Sequence, residues 1–411
     1  MKLVVFAHVP PPHHGQSYMV QLMLKGFGGN QRGIRRPPIS GAAKNYGVIC
    51  YHVNARLSRD LEQIGELRPE KILLLFGYCL SAIWCRFRYG AKTLYYIPAP
   101  GKRSAMFRDW MVMLLCRPFF PKIILHWHAA GLSKWIETSL QIRARSFTYK
   151  CMKQVNLSII LSRHNRADAE KLLPQRIELV PNGIPDPCPD FESTILPIRL
   201  ARQEARRQIQ GREKFSPTET ENGGDPHAFQ VLYLAHCTRE KGVFDAIAGT
   251  LKANETLVKN KSPMRIKLTI AGGFFNQSEE EEFFKILDQP DAKENIRYLG
   301  FVSGEQKDAA LKSADLFCFP TYYRNENQPV NLIEALAYGL PVITTRWRSV
   351  PETLPEGHAG IVAPRNPDQI AEALLHLMSQ NFGDAFRQHF LTNFKMERHL
   401  ENLATAFHSI E

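Results

Sequence analysis

Residues 319–345 read FPTYYRNENQPVNLIEALAYGLPVITT, and the stretch changes character three times. A β-rich apolar run at 316–319, LFCF, ends in a polar loop, and helical spacing begins near Pro329 or Val330. Proline suits a first helical turn, where its missing N–H costs nothing. A strand that enters a helix in this way presents the backbone N–H groups of Val330, Asn331 and Leu332 at the carboxyl edge of a sheet. Such amides bind anions, and their span matches a diphosphate. Glu326 falls in the loop and Glu334 in the second turn of the helix. A carboxylate on the helix can accept two hydrogen bonds from vicinal ribose hydroxyls, and one in the loop can hold sugar hydroxyls. Two glutamates at this spacing are common by chance. They gain weight from the phrase around them, which closes with Gly339, Leu340 and Pro341 before the next strand.

The same plan extends outward. Strands are expected at 230–235, 265–271, 296–299, 316–319, 341–344 and 360–362, with helices at 243–258, 305–313 and 367–378. The first half predicts strands at 3–8, 47–53, 71–76, 93–97, 122–127, 157–161 and 177–180. KILLLF (71–76) and LSIIL (157–161) are nearly continuous apolar runs, the pattern of a parallel strand covered on both faces. Strand and helix alternate throughout, which argues for an α/β, doubly wound architecture in both halves. Residues 186–228 break the pattern with DPCPDFES, a charged helical patch and SPTETENGGDPH, and read as a linker with one embedded helix. The expected organisation is a Rossmann-like domain at 1–185, this linker, a second such domain at 229–383, and one long helix over 384–411 that packs back towards the first domain.

A chain of 411 residues is about twice an ordinary domain, and 44% apolar with 22% charged residues excludes an extensively disordered or collagen-like chain. The eight cysteines include no C-x-x-C pair, which speaks against a zinc ribbon or a disulfide framework and for a reducing compartment. The opening MKLVVFAHVPPP is too short an apolar stretch for a signal peptide. No run of roughly 18 uninterrupted apolar residues occurs, and the nearest approach, 105–125, is cut by Arg108, Asp109, Arg117 and two prolines. A cytoplasmic protein is expected.

Charge is unevenly divided. Residues 1–185 hold 27 Lys and Arg against 9 Asp and Glu, a balance of +18, and the remainder holds 25 against 31, a balance of −6. Anionic lipid headgroups, phosphorylated acceptors or nucleic acid would each suit the basic half, as would a merely solvated surface. Within it, 102–118 (KRSAMFRDWMVMLLCRP) sets Lys102, Arg103, Arg108 and Arg117 beside Phe107, Trp110, Met111 and Leu114. This segment reads as a core-packed helix or, alternatively, as a basic amphipathic helix on the inner face of an anionic membrane.

The phrase around Glu326 and Glu334, with EALAYGLPVI, resembles the Glu-x7-Glu motif of the retaining GT-B glycosyltransferases of family 4, also called glycosyl transferases group 1. Other pieces follow in that family's order: VPPPHHGQSYMV (9–20), IELVPNGI (177–184), VLYLAHCTREKG (231–242), TIAGG (269–273), YLGFVSGEQ (298–306) and RSVPETL (348–354). The resemblance covers nearly the whole chain and is sharpest in its second half. It implies two Rossmann-like domains facing each other across a cleft, with a nucleoside-diphosphate sugar on the second and a sugar or lipid-linked glycan acceptor on the first.

Carried over, Lys241 neutralises the departing diphosphate, as a lysine point charge can. His236 stands where the family has an arginine, and histidine is shorter and mostly neutral near pH 7. Gly15 lets the loop after the first strand approach the donor phosphates, as only glycine can closely. His14 either touches the donor or caps the helix beginning near Gln16. Glu326 positions the sugar, Glu334 the ribose, and His128 the reacting sugar or acceptor. Gly273 and Phe301 follow as lesser donor-side positions. His126 and His128 share a strand face at metal-like spacing, but no third ligand is evident, so neither metal nor cofactor is expected. D-x-D, G-x-x-x-x-G-K-[ST] and G-x-G-x-x-G motifs are missing where a metal-dependent transferase, a P-loop kinase or a dinucleotide oxidoreductase would need them. The implied reaction is sugar transfer to an acceptor hydroxyl with retention, in cell-surface polysaccharide or glycolipid assembly. A sugar-nucleotide epimerase of the same fold is the alternative. A nucleic-acid-binding protein would explain the basic half but not the glutamate phrase, so no nucleic acid is expected.

Overall fold

Two parallel sheets of six strands each organise the chain. The structure, a computed structural model, describes residues 1–11, 14–33, 46–57, 69–210 and 225–411. Of the segments read above, Pro12, His13 and 211–224 within the linker lie outside the described residues. The contacts separate two units: Met1–Pro185 with Asn325–Gln328 and Phe394–Glu411, and Asp186–Arg324 with Pro329–Asn393.

In the first unit the strands are β1 (Lys2–Ala7), β2 (Ile49–Asn54), β3 (Thr93–Tyr96), β4 (Lys122–Trp127), β5 (Leu157–Ile160) and β6 (Ile177–Leu179). Their order is β2-β1-β3-β4-β5-β6, all parallel. Leu3, Val4, Val5 and Phe6 are all buried, as a strand covered on both faces requires. Helices α1 (Gly15–Gly26), α2 (Pro69–Tyr89) and α3 (Arg103–Cys116) follow β1, β2 and β3. The strand order reverses between β1 and β3, which marks the carboxyl end of β1 as a place for ligands.

The expectation of a strand at 71–76 is overturned, because KILLLF lies inside α2. An uninterrupted apolar run does not by itself distinguish a doubly covered strand from a helix that is apolar all round. Here the run continues through YCLSAIWC, and Leu75, Cys79, Ala82 and Cys85 return at helical spacing to the core. The expectation that 105–125 is the nearest approach to a membrane-crossing segment also fails. Among the described residues, the helix long and apolar enough to cross by length and composition is Glu70–Tyr89. In α3, by contrast, Met106, Asp109, Val112, Met113 and Cys116 are buried. Arg108 pairs with Asp109 at 3.1 Å, and Arg117 donates to the carbonyls of Cys151 and Lys153, both at 2.7 Å. Arg117 therefore ties the end of α3 to the segment around Cys151 and Lys153.

The second unit contains β7 (Ala228–Leu234), β8 (Arg265–Ala271), β9 (Ile296–Tyr298), β10 (Leu316–Phe319), β11 (Val342–Thr345) and β12 (Ile361–Val362). Their order is β12-β11-β10-β7-β8-β9, which reverses between β7 and β10 as in a dinucleotide-binding sheet. The helix Leu196–Gln210, from the region read as a linker, packs on this unit. Arg206 and Arg202 both reach Asp315, at 2.9 and 3.1 Å.

The expected long helix at the carboxyl end is two helices, Ala385–Asn393 and Met396–His408. Between them the backbone pairs with Ile184 instead of continuing its turns. The Ile184 N–H donates to the Phe394 carbonyl, and the Met396 N–H donates to the Ile184 carbonyl, both at 2.9 Å. The second helix belongs to the first unit, where the ring centroid of Phe407 lies 5.9 Å from Phe27 and 6.0 Å from Tyr95.

Candidate functional site

In the second unit the reversal of strand order marks the carboxyl ends of β7 and β10 as a place for ligands. The chain after β7 forms a tight turn, Arg239–Lys241, capped by Thr238, whose side chain accepts from the Lys241 N–H. Gly242 follows with φ +84, a left-handed conformation that favours glycine, and a Cβ there would overlap the Pro320 carbonyl. That close approach brings Lys241 beside the end of β10. Its Nζ stands 5.6 Å from the centre of the Phe319 ring and 4.6 Å from that of Tyr323.

After β10 the helix Val330–Ala337 starts from Pro329, which has no side-chain cap. Val330 and Asn331 carry first-turn amides, which the helix itself leaves without partners. The expectation for Leu332 is corrected: its N–H donates to the Pro329 carbonyl at 3.2 Å, because the first turn closes tightly. The Asn331 side chain donates to the Leu234 carbonyl at 2.9 Å and so ties the helix to the end of β7, a role that sequence reading missed. Glu334 takes a partner it was not assigned, with Lys307 Nζ lying 2.7 Å from its carboxylate.

The other donor-side positions are less concentrated. His236 packs on Phe275, ring centroids 4.4 Å apart. At Gly273 a Cβ would meet nothing within 4 Å, whereas at Gly272 it would overlap the Ala235 carbonyl. The glycine that the end of β7 requires is therefore Gly272. Phe301 is 68% exposed.

The first unit gathers histidines at the ends of its strands. His14 is the N-cap of α1: its Nδ1 accepts from the Ser17 N–H at 3.3 Å, and Ser17 Oγ accepts from the His14 N–H at 3.2 Å. Gly15 is the first residue of that helix. His14 Nε2 lies 2.7 Å from His8 Nε2. At the end of β4, His126 bonds Tyr95 through Nδ1 at 2.5 Å, and its ring centroid is 4.3 Å from that of His128. Burial, with His399 and His14 nearby, pushes His128 down to about 3. At neutral pH His128 therefore offers hydrogen bonds and no charge. Among the described residues no group of three or more His, Cys, Asp and Glu side chains is placed to hold a metal ion.

Glu326 is buried and belongs to the first unit, while Glu334 belongs to the second. The segment that carries Glu326 is tied down by residues sequence reading passed over. Asn327 accepts from Ser162 Oγ at 3.0 Å and donates to the Trp127 carbonyl at 3.2 Å. Gln328 Oε1 accepts from the Asn182 N–H at 2.6 Å. The polar run NENQ in the opening phrase and the PNG triplet at 181–183 were the available signals.

Two doubly wound units of this kind define the GT-B fold. Solved structures agree: a sucrose-phosphate synthase from Thermosynechococcus elongatus superposes with a TM-score of 0.65 at 15% identity, covering 100% of this chain and 99% of its own. Anabaena Alr3699/HepE, solved in complex with UDP, does so with a TM-score of 0.60 at 12% identity, covering 100% of both chains. At these identities the likeness is one of fold.

In sequence, residues 217–395 match the profile of the family described as Glycosyl transferases group 1. The O-antigen chain mannosyltransferase B of Escherichia coli is 28% identical over 142 residues, which is 34% of this chain and 35% of that protein. The matched segment spans a little over a third of the length of the curated relatives it matches.

Proposed function

We propose that this chain is a retaining glycosyltransferase of family 4 that moves a sugar from a nucleoside-diphosphate donor to an acceptor hydroxyl without a metal ion. The observation that carries the reading is Lys241, in the turn that follows β7, whose Nζ stands 5.6 Å from the ring of Phe319 at the end of β10, where the sheet order reverses. The match of 217–395 to Glycosyl transferases group 1 supports it. A diphosphate leaving group gains negative charge as the sugar departs. Stabilising that charge with fixed amides and a lysine lowers the barrier. Lys241 and the amides of Val330 and Asn331 take this role. Glu334 accepts from the ribose hydroxyls, and Glu326 orients the sugar. Neutral His128 directs the sugar or the acceptor hydroxyl by hydrogen bonding, and the acceptor attacks the face that the leaving group departs from.

The basic first unit suits a sugar or lipid-linked glycan acceptor handled at the cytoplasmic side of a membrane, in cell-surface polysaccharide or glycolipid assembly. The name of the E. coli relative, an O-antigen chain mannosyltransferase, supports the polysaccharide part of this reading. A thermal-shift panel of UDP, GDP, ADP and CMP tests the donor site. A ligand at about 100 times its dissociation constant adds roughly 2.7 kcal/mol of stability. One nucleotide diphosphate should shift the melting temperature clearly above the rest. No shift with any, together with no sugar transfer from the corresponding nucleotide sugars, would sink the reading.

A further inference from the structure

Helix α2 is apolar on the side it should not be. Its inward stripe is built of Leu75, Cys79, Ala82 and Cys85, all fully or nearly fully buried. Its largest side chains lie on the opposite face, where Leu73 is 73% exposed, Phe87 67% and Trp84 50%, with Phe76 and Leu80 between them. An ordinary surface helix turns its apolar stripe to the core and its polar face to water. In α2 the face on the core and the outward face are both apolar, and the outward one forms a continuous stripe of four turns. Scattered exposed apolar residues need no explanation, but a contiguous stripe does. The stripe continues off the helix to exposed Phe119, whose ring centroid is 6.2 Å from that of Phe87.

Cations border one end of this face. Arg86 and Arg88 lie in the last turn, and the Arg32 guanidinium stands 5.9 Å from the centre of the Trp84 ring. The half of the chain that carries α2 has 27 basic against 9 acidic residues. We infer that α2 is a membrane-docking helix that lies in the interface of a bilayer containing anionic phospholipid. Leu73, Phe76, Leu80, Trp84 and Phe87 enter the acyl boundary, and Arg32, Arg86 and Arg88 meet the headgroups. The helix lies on the bilayer and does not cross it, because its other face is part of the core under β1 and β2. A second copy of the chain is the poorer occupant. A two-fold contact with the two helices parallel would set the same basic residues against one another, and an antiparallel one would still bring together the two +18 halves.

The inference rests on α2 alone and not on the donor-site reading, because vesicle binding needs no nucleotide. The test is co-sedimentation of the full chain with phosphatidylcholine vesicles made with and without phosphatidylglycerol. The protein should bind the anionic vesicles at least about 10-fold more tightly, and added salt should weaken that binding. The triple substitution Leu73→Gln, Leu80→Gln, Phe87→Gln should cut binding by roughly 100-fold or more with the melting temperature unchanged, because these side chains are exposed. Brominated lipid should quench Trp84 among the five tryptophans, and the quenching should vanish in Trp84→Phe. Failure of the folded protein to bind anionic vesicles, wild-type binding by the triple variant, or quenching that survives in Trp84→Phe would each overturn the proposal. So would a dimer in solution that the triple substitution converts to monomer, because the face would then belong to a second copy.

Discussion

The Nε2 atoms of His8 and His14 lie 2.7 Å apart, so one ring carries its proton there and the other accepts it. The Ser17 N–H donates to His14 Nδ1 at 3.3 Å, which leaves the His14 proton on Nε2 and makes His8 the acceptor. A proton added at His8 would set two N–H groups against each other. Burial, then His14, Arg108 and His52 in turn, holds His8 down at about 4.

A pH dependence of stability follows. His399 is likewise lowered to about 4, by burial, and His128 to about 3, against an ordinary value of 6.5. Above pH 6.5 the folded and unfolded chains are both neutral at these sites, and the stability is fully present. As the pH falls below 6.5 the unfolded chain takes up protons that the folded chain refuses. Stability should then drop by up to about 1.4 kcal/mol per pH unit for each histidine, until each folded value is reached. Urea unfolding measured from pH 7 to pH 4 should show this slope, and His8→Asn should remove about one histidine's share. An unchanged slope in that variant would contradict the assignment.

Lys307 Nζ lies 2.7 Å from the Glu334 carboxylate and orients it. Glu334→Ala should weaken binding of the preferred nucleotide by roughly 10- to 100-fold, the worth of hydrogen bonds to a charged group. With a dideoxyribose analogue the same substitution should cost little. Titration calorimetry on both ligands separates the two cases. An equal loss on both would remove Glu334 from the ribose.

How far these features could be read in advance depended on how local their causes are. LFCF at 316–319 and the proline-led helix after it are set by neighbouring residues, and β4, β8 and β10 fall where the apolar runs predict them. His14 capping α1 is equally local, because its partner Ser17 is three residues away. The helical state of KILLLF was hidden because α2 is apolar on both faces, which erases the periodicity that separates helix from strand. The bond from Ser162 to Asn327 spans 165 residues of chain, and no local pattern encodes it. Glu326 was therefore found through the phrase around it, while the side chains that hold it were not.

The end of β7 should tolerate a methyl group at one of two adjacent glycines only. A Cβ on Gly272 would overlap the Ala235 carbonyl, and the strand end has no flexible side chain to move aside. Gly272→Ala should cost roughly 1–3 kcal/mol of stability by this overpacking and shift the Lys241 turn. Gly273→Ala, which meets nothing within 4 Å, should leave stability near wild type. Denaturant melts of the two variants, run side by side, check the contrast, and equal melts would refute it.

Lys241→Ala and Glu326→Ala should each depress turnover by roughly 10²-fold or more, the range seen when one stabilising group is removed from a developing charge. The two should differ in binding. Lys241→Ala should also weaken the free nucleoside diphosphate, whereas Glu326→Ala should leave that affinity intact and act on the sugar. Steady-state rates combined with nucleotide titration give both readings. Near-wild-type turnover in either variant would refute its assigned role.

Asn327 is buried and bonded on both sides, to Ser162 Oγ at 3.0 Å and to the Trp127 carbonyl at 3.2 Å. Ser162→Ala removes one donor and leaves Asn327 Oδ1 to find another in a buried place, a loss of about 1–3 kcal/mol if none is found. Because Glu326 is the adjacent residue, loosening Asn327 should misplace its carboxylate and lower turnover by roughly 10-fold. The Michaelis constant for the nucleotide sugar and the affinity for free nucleotide should change little. Asn327→Asp tests the direction of the bond: its carboxylate can still accept from Ser162 but no longer donates to the Trp127 carbonyl. It should be the more damaging substitution. If both variants turn over like wild type, Glu326 is held by something other than these two bonds.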